Sequence, residues 1–207
     1  VHIVATGSMA ALTNAVILQA ASLCRDVYAH ERDYIVDNSI PGFTIIAVEG
    51  TSSAGDWLTN IKFLFRNDDT HRGFKENALR LVNQLFMREQ IDFKTQLVVC
   101  GHSLGGATAT VLADMLRQGA GRNVCVITLG SPRPGGRRLR KRLADLTHMR
   151  YVHSDDVVPL SPLWLGGYVH THEAIRLADA NGDKWFDGVS DHDAGAYCTA
   201  LALALAA

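Results

Sequence analysis

One serine in the sequence has neighbours that suit a nucleophile. Ser103 lies within Gly101-His102-Ser103-Leu104-Gly105-Gly106, a G-x-S-x-G element between a compact apolar run and an Ala- and Leu-rich segment. On a sharp strand-to-helix turn, such a serine takes strained backbone angles, and small neighbours let strand and helix approach closely. We therefore predict that Ser103 is a nucleophile at the carboxyl end of a sheet, and that the backbone N–H of Leu104 donates to an oxyanion. A glycine-rich helix start with an incidental serine is the alternative.

A serine hydroxyl attacks a carbonyl only when a histidine takes its proton and a carboxylate orients that histidine. Where the G-x-S-x-G turn is used, the acid and then the histidine follow the serine along the chain. Asp155 and Asp156 come directly after the predicted strand 149–153, at the edge of the sheet where Ser103 is also expected. The spacing favours one of these two carboxylates as the acid.

Several histidines follow Ser103 in the sequence: His148, His153, His170, His172 and His192. His192 lies in a polar loop just before the last predicted helix, from which a side chain can reach over the edge of the sheet. His170 and His172 share one face of a predicted strand, where a packing or hydrogen-bonding role is more common. We therefore predict that His192 is the general base.

These residues need a framework that brings the ends of several strands together. Compact apolar runs predict strands at 43–48, 96–100, 123–129 and 149–153, and amphipathic spacing predicts helices at 10–30, 77–88, 103–116, 137–146 and from 194 onward. A short strand at 61–65 and a hairpin of 168–177 with 184–189 are also expected. Continuous apolar strands alternating with helices indicate an α/β fold with a mostly parallel central sheet and helices on both faces. Without repeats or linkers, residues 1–207 are expected to form one domain.

Composition limits the possible partners. Of 207 residues, 20 are Lys or Arg and 21 are Asp or Glu, so the formal net charge of -1 offers no global attraction for nucleic acid. No apolar stretch reaches the ~20 residues of a transmembrane helix. The basic cluster in the predicted helix 137–146 has two interpretations, a solvated helix face or a patch for anionic head groups. Both remain open.

No metal or cofactor is expected. The four cysteines lack metal-ligand spacing and are expected to be buried free thiols, although pairing of Cys24 with Cys198 stays open. Asp179, Asn181 and Asp183 lack the spacing of a calcium loop and are interpreted as a hairpin turn.

Taken together, the motifs resemble the class 3 lipases, a family of α/β-hydrolase fold that includes the filamentous fungal triacylglycerol lipases. The resemblance covers about residues 40–198 and rests on five segments in the family's order: Gly50-Thr51 with Asp56-Trp57 and Asn60, His71-Arg72-Gly73-Phe74, the serine element, Gly130-Ser131-Pro132-Arg133, and Asp156-Val157-Val158-Pro159. In that family the acid begins an Asp-x-Val-Pro segment, which selects Asp156 over Asp155. Its histidine precedes the terminal helix, which matches His192.

The resemblance also implies a second oxyanion donor at Thr51. It further implies a short lid at 52–60, in which Trp57 and Leu58 contact the substrate. The alternative, that Trp57 packs in the core beneath a fixed loop, stays open. Glu49 departs from the family, which usually has arginine before Gly-Thr, so the usual polar anchoring of this loop does not carry over. The short chain leaves little room for a large lid, which argues against long-chain triglyceride as the substrate.

The expected function is therefore a serine carboxylic-ester hydrolase that cleaves acyl esters, lipid esters foremost, through an acyl-enzyme on Ser103 with Asp156 and His192. The expected partner is an acyl ester, at a lipid–water interface if the substrate is a lipid. Two alternatives stay open: an esterase for small soluble or feruloyl-type esters, and a catalytically silent binding protein with a hydrolase fold.

Overall fold

A single six-stranded sheet organises the protein. The computed structural model describes residues 11–29, 33–50, 69–88, 91–92, 94–120, 124–153, 155–161, 167–178 and 192–206. Within these residues the strands lie side by side in chain order: β1 (Tyr34–Asp37), β2 (Phe43–Val48), β3 (Gln96–His102), β4 (Val124–Leu129), β5 (Thr147–His153) and β6 (Ala174–Leu177). β1 is antiparallel to β2, and every other pair of neighbours is parallel. The carboxyl ends of β2 to β6 therefore meet at one edge.

Helices cover both faces of this sheet, as predicted. The described residues contain α1 (Asn14–Asp26), α2 (Arg72–Met87), α3 (Leu104–Ala120), α4 (Arg137–Arg142) and α5 (Ala194–Ala206). α2, α3 and α4 each connect two neighbouring parallel strands. Because right-handed crossovers that advance in the same direction place their helices on the same face, these three pack together on one side. α1 and α5 pack on the other side.

The central strands are buried on both faces, which explains their continuous apolar sequences. Every residue of β2, β3 and β4 is buried. Successive side chains of a strand point to opposite faces, so Ile46 and Val99 pack with α2 to α4, whereas Ile45 and Val98 pack with α1 and α5. This double burial confirms the prediction of an α/β sheet.

Some element boundaries differ from the prediction. β1 was not predicted, because this strand at the edge of the sheet has only four residues, is mostly half-buried and contains an apolar run of only three residues. α2 begins at Arg72, five residues earlier than expected. α4 ends at Arg142, where Leu143 and Leu146 form a turn that leads into β5. The expected elements 61–65 and 184–189 lie outside the described residues.

The predicted strand 168–177 is wrong over its first part. Only Ala174–Leu177 pairs with the sheet, in parallel with β5. Val169 instead donates its N–H to Gly135 O over 2.7 Å, as an isolated bridge to the loop after β4. This loop contact holds the segment away from the sheet until residue 174.

The four cysteines carry free thiols; Cys198 is half-buried and the other three are buried. Cys198 Sγ lies 3.2 Å from Ala21 O and therefore joins α5 to α1. Among the helices of the described residues, none is long and apolar enough to cross a membrane.

Candidate active site

The turn that carries Ser103 depends on close contact between backbones. Ser103 is buried at the end of β3 and has a φ of 56°, a left-handed conformation that non-glycine residues rarely adopt. A Cβ on Gly101 would lie 2.4 Å from the Gly105 backbone, and a Cβ on Gly105 would lie 2.4 Å from Val48 O. Both glycines are therefore required for β2, β3 and the start of α3 to meet at this turn.

The three residues predicted to act together lie within hydrogen-bonding distance of one another. His192 Nε2 is 2.7 Å from Ser103 Oγ, and His192 Nδ1 is 2.8 Å from Asp156 Oδ2. Each of the three residues is at most 5% exposed. The ends of β3 and β5 and the segment before α5 thus converge on one buried arrangement, in which an imidazole bridges a hydroxyl and a carboxylate.

Asp156, and not Asp155, lies at this point. The side chain of Asp155 is exposed. Asp156 Oδ1 accepts the N–H of Val158 over 2.9 Å, and Asp156 Oδ2 accepts the hydroxyl of Tyr197 over 2.6 Å. Together with His192, these groups give the buried carboxylate three hydrogen-bond donors, which stabilise it and fix its orientation.

Gly130, which ends β4, provides the space for this contact. Its φ is +58°, and a Cβ there would lie 2.6 Å from Asp156 Oδ2 and 3.0 Å from the ring of His192. Any side chain would push the carboxylate and the imidazole apart. The sequence motif containing Gly130 was recognised by resemblance alone; a glycine directly after a buried strand is the physical signal for such a close approach.

Tyr197 is a residue of the candidate site that the sequence reasoning missed. Its hydroxyl donates to Asp156 and accepts the backbone N–H of His153 over 3.0 Å. Its side chain is fully buried, and burial together with the nearby carboxylate of Asp156 raises the pKa of the phenol well above 10. Tyr197 therefore remains a hydrogen-bond donor at neutral pH. An aromatic residue in the first turns of an Ala- and Leu-rich helix looks like a core residue in the sequence.

We expect Tyr197→Phe to reduce both ester hydrolysis and stability. The change removes a donor from a buried carboxylate and leaves the N–H of His153 without its acceptor, and each such loss costs about 1–3 kcal/mol. Denaturant unfolding and kcat on a soluble ester measure the two effects. Tyr151→Phe is the matched control, because among the described residues the Tyr151 hydroxyl hydrogen-bonds only to the Met149 sulfur, at 3.5 Å. Equal effects of the two changes would contradict the role given to Tyr197.

His102 is a second buried group beside the site to which the sequence reasoning assigned no role. Its ring centroid lies 4.6 Å from that of His192, and its Nδ1 is 3.0 Å from the Tyr28 hydroxyl. Burial, and secondarily the neighbouring His192, lower the pKa of His102 to about 3. A neutral His102 presents no charge to His192.

The other histidines downstream of Ser103 make contacts elsewhere. His170 Nε2 is 2.7 Å from Pro159 O, and His148 lies between the hydroxyls of Thr128 and Thr171, each at 3.0 Å. The ring centroid of His172 lies 5.1 Å from that of His148, and the two rings are tilted by 55°. His170 and His172 precede β6 and do not share a strand face, so that part of the reasoning was wrong.

Several of these buried histidines predict a loss of stability in acid. Burial is the main cause that lowers the pKa of both His102 and His170 to about 3, compared with 6.5 for a free histidine. Below pH 6.5 the unfolded chain therefore binds more protons than the folded chain. The contribution of these neutral histidines to the free energy of unfolding is fully present above pH 6.5 and is lost as the pH falls toward 3. The two residues together lower the free energy of unfolding by about 3 kcal/mol per pH unit between pH 6 and 4.

Urea unfolding at a series of pH values measures this slope. His170→Gln keeps a donor for Pro159 O and removes one titrating ring, so the slope should fall by about 1.4 kcal/mol per pH unit. A free energy of unfolding that is constant between pH 6.5 and 5 would contradict the prediction.

One of the two predicted oxyanion donors, Leu104, lies within the described residues. Leu104 is the first residue of α3, so its N–H has no acceptor within the helix and is available to a ligand. Thr51 and the lid residues 52–60, with Trp57 and Leu58, lie outside the described residues. Glu49 precedes Thr51 and donates its N–H to Asp33 O over 3.0 Å. The backbone at Glu49 also packs against Gly105, so the loop leading to Thr51 is held by β1 and by the serine turn.

No group of three or more His, Cys, Asp or Glu side chains that could hold a metal ion occurs in the described part of the chain. Asp179, Asn181 and Asp183 lie outside it.

The chain matches the model of one known protein family. The model of the lipase (class 3) family matches residues 45–166 of the chain. The chain belongs to the class 3 lipase family. The match includes the serine turn, Gly130 and Asp156, and it confirms the resemblance read from the motifs.

Individual members of the class 3 lipase family are also similar to the chain. The secreted mono- and diacylglycerol lipase 1 of Fusarium solani is 30% identical over 167 residues, covering 75% of this chain and 47% of the relative. The secreted mono- and diacylglycerol lipase A of Penicillium cyclopium is 28% identical over 179 residues, covering 75% and 59%. The chain thus spans about half the length of these relatives.

Solved lipase structures share the architecture. The Rhizomucor miehei triacylglyceride lipase superposes with a TM-score of 0.63 at 23% identity, covering 81% of this chain and 78% of that one. This similarity confirms the α/β-hydrolase fold.

Proposed function

We propose that the protein is a serine carboxylic-ester hydrolase that cleaves acyl esters of lipids. The observation that carries this proposal is the buried chain of hydrogen bonds from Ser103 Oγ through His192 to Asp156. Membership in a lipase family supports it, because the relatives include mono- and diacylglycerol lipases. An acylglycerol is therefore the substrate class that we propose.

The first half of the reaction forms an acyl-enzyme. Ser103 Oγ attacks the carbonyl carbon of the ester while His192 Nε2 takes the hydroxyl proton. Asp156 holds the Nδ1–H of His192 and stabilises the imidazolium. The Leu104 N–H donates to the oxyanion, and we carry over Thr51 from the family as the second donor. When the intermediate collapses, His192 gives the proton to the departing alcohol.

The second half releases the fatty acid. His192 takes a proton from a water molecule, whose oxygen attacks the acyl carbon on Ser103. Collapse of the second intermediate returns the proton to Ser103 Oγ. Asp156 remains a carboxylate throughout, held by Val158, Tyr197 and His192. We place Trp57 and Leu58 against the acyl chain by analogy with the family's lid.

Hydrolysis by the purified protein of p-nitrophenyl esters and of a monoacylglycerol tests the function. A fluorophosphonate that labels an activated serine should modify Ser103 stoichiometrically, as located by peptide mass spectrometry. Cleavage of soluble short-chain esters alone would favour the small-ester alternative. Folded protein that neither hydrolyses any ester nor reacts with the fluorophosphonate would refute the proposal and favour a silent binding protein.

A further inference from the structure

α4, the helix that follows β4, is strongly basic. α4 contains five cations in six residues, Arg137, Arg138, Arg140, Lys141 and Arg142, and all five are exposed. The whole chain has a formal net charge of only -1, so this charge is local. A local positive field on an otherwise balanced protein selects an anionic partner at that surface.

Three of these cations have no acidic partner among the residues that the structure describes. Arg142 pairs with Asp114 over 2.9 Å, and Arg140 lies 3.7 Å from Glu173. In the part of the chain that the structure describes, the side chains of the remaining three make no ion pair or hydrogen bond. We call these three residues, Arg137, Arg138 and Lys141, the basic patch. Their charges are available to a ligand.

Helix stability does not account for Arg137 and Arg138 of the basic patch, because cations at the start of a helix oppose its dipole. Arg137 and Lys141 are four residues apart, and like charges at this spacing destabilise a helix. The helix is held instead by its opposite side, where Leu139 and Leu143 are completely buried. The like charges are therefore present although they lower the stability of a short helix. A surface that binds an anionic ligand would require such charges.

Exposed apolar side chains lie near the start of this helix. Val157 and Leu160, which follow Asp156, are 42% and 57% exposed. The loop from β4 to α4 runs beside them, because Arg133 donates its backbone N–H to Ser161 O over 2.8 Å and its guanidinium to Leu160 O. α4 begins four residues after Arg133. Val157, Leu160 and the loop that leads into α4 thus lie at the same edge of the sheet as Ser103.

We propose that the basic patch, together with Val157 and Leu160, docks the protein onto a lipid surface that carries anionic phosphate head groups. Long basic side chains reach head groups while nearby apolar side chains enter the boundary of the acyl region. This docking rests on the proposed function for its purpose, since it would bring the mouth of the site to its ester substrate. It adds a preference that the hydrolysis itself does not contain, namely for negatively charged interfaces.

Sedimentation with vesicles of ether-linked lipids tests the proposal without hydrolysis. The protein should bind vesicles that contain ether-linked phosphatidylglycerol more tightly than vesicles of ether-linked phosphatidylcholine alone. Arg137→Gln/Arg138→Gln should lose roughly 10- to 30-fold of the affinity for the anionic vesicles. Added salt should weaken binding of the unmodified protein and have less effect on this variant.

Matched variants control for charge and folding. Arg88→Gln/Lys94→Gln removes two exposed cations near the opposite edge of the sheet and should bind like the unmodified protein. Arg137→Lys/Arg138→Lys keeps the charge and should also bind normally. Equal binding to neutral and anionic vesicles, or equal losses in the two glutamine variants, would overturn the proposal.

Hydrolysis of a soluble short-chain ester gives an independent readout. All these variants should retain it, because none of the changed residues contacts Ser103, His192 or Asp156. Absent hydrolysis with intact preference for anionic vesicles would refute the proposed function alone.

Discussion

Ser103→Ala is expected to reduce kcat for ester hydrolysis by on the order of 10⁶-fold, the typical result of removing the nucleophile of such a triad. Without Oγ no acyl-enzyme forms, and only binding and the oxyanion donors remain to assist attack by water. Stability should change little, because alanine keeps the backbone turn and the side chain fills almost the same space. Steady-state kinetics and thermal unfolding measure both effects.

Ser131→Ala provides the control for this experiment. Ser131 is also buried beside the serine turn, but its hydroxyl donates to Pro132 O and does not contact His192. We expect activity within a few-fold of the unmodified protein for this variant, on the basis of a hydrogen bond that contributes about 1 kcal/mol. Turnover by Ser103→Ala at the unmodified rate would refute the mechanism.

Asp156→Asn is expected to lower kcat by about 10⁴-fold, because a neutral amide no longer selects the tautomer of His192 that can accept the serine proton. The structure adds a second consequence. The carboxylate receives donors from Val158, Tyr197 and His192, whereas an amide has a single acceptor oxygen. At least one buried donor would face the amide NH₂, so the free energy of unfolding should also fall by about 1–3 kcal/mol.

Asp155→Asn tests whether this effect belongs to position 156. Asp155 is exposed and adjacent in sequence, and the change removes the same charge. Its kcat should remain within a few-fold of the unmodified protein. Asp155 would replace Asp156 in the mechanism if its substitution had the larger effect.

Together, these results would distinguish residues that act in the reaction alone from residues that also stabilise the fold. The Asp156 and Tyr197 changes should affect both activity and stability, because each removes part of a buried hydrogen-bond network. The Ser103 change should affect activity alone. Substitutions in the basic patch should change neither the stability nor the activity on a soluble ester, since the proposed effect of the patch requires a charged lipid surface.

The sequence by itself determined those features whose causes are local. The turn at Ser103 could be predicted because Gly101 and Gly105 must be small wherever a strand bends sharply into a helix. Strands β2 to β4 could be predicted because burial on both faces requires an unbroken apolar run. By contrast, β1 at the edge of the sheet has no such requirement and left no clear pattern.

Only the tertiary structure decided which distant residues meet. Tyr197 is 41 residues from Asp156 in the chain, and its contact exists because α5 crosses the face of the sheet beneath the end of β5. Gly130 must lack a side chain because Asp156 and His192 come together above it, and its φ of +58° favours glycine as well. Likewise, the local sequence favoured His192 among the five histidines after Ser103, but only the fold decides which neighbours each of them has. Such contacts depend on how strands and helices pack, and packing is a property of the whole chain that no short segment encodes.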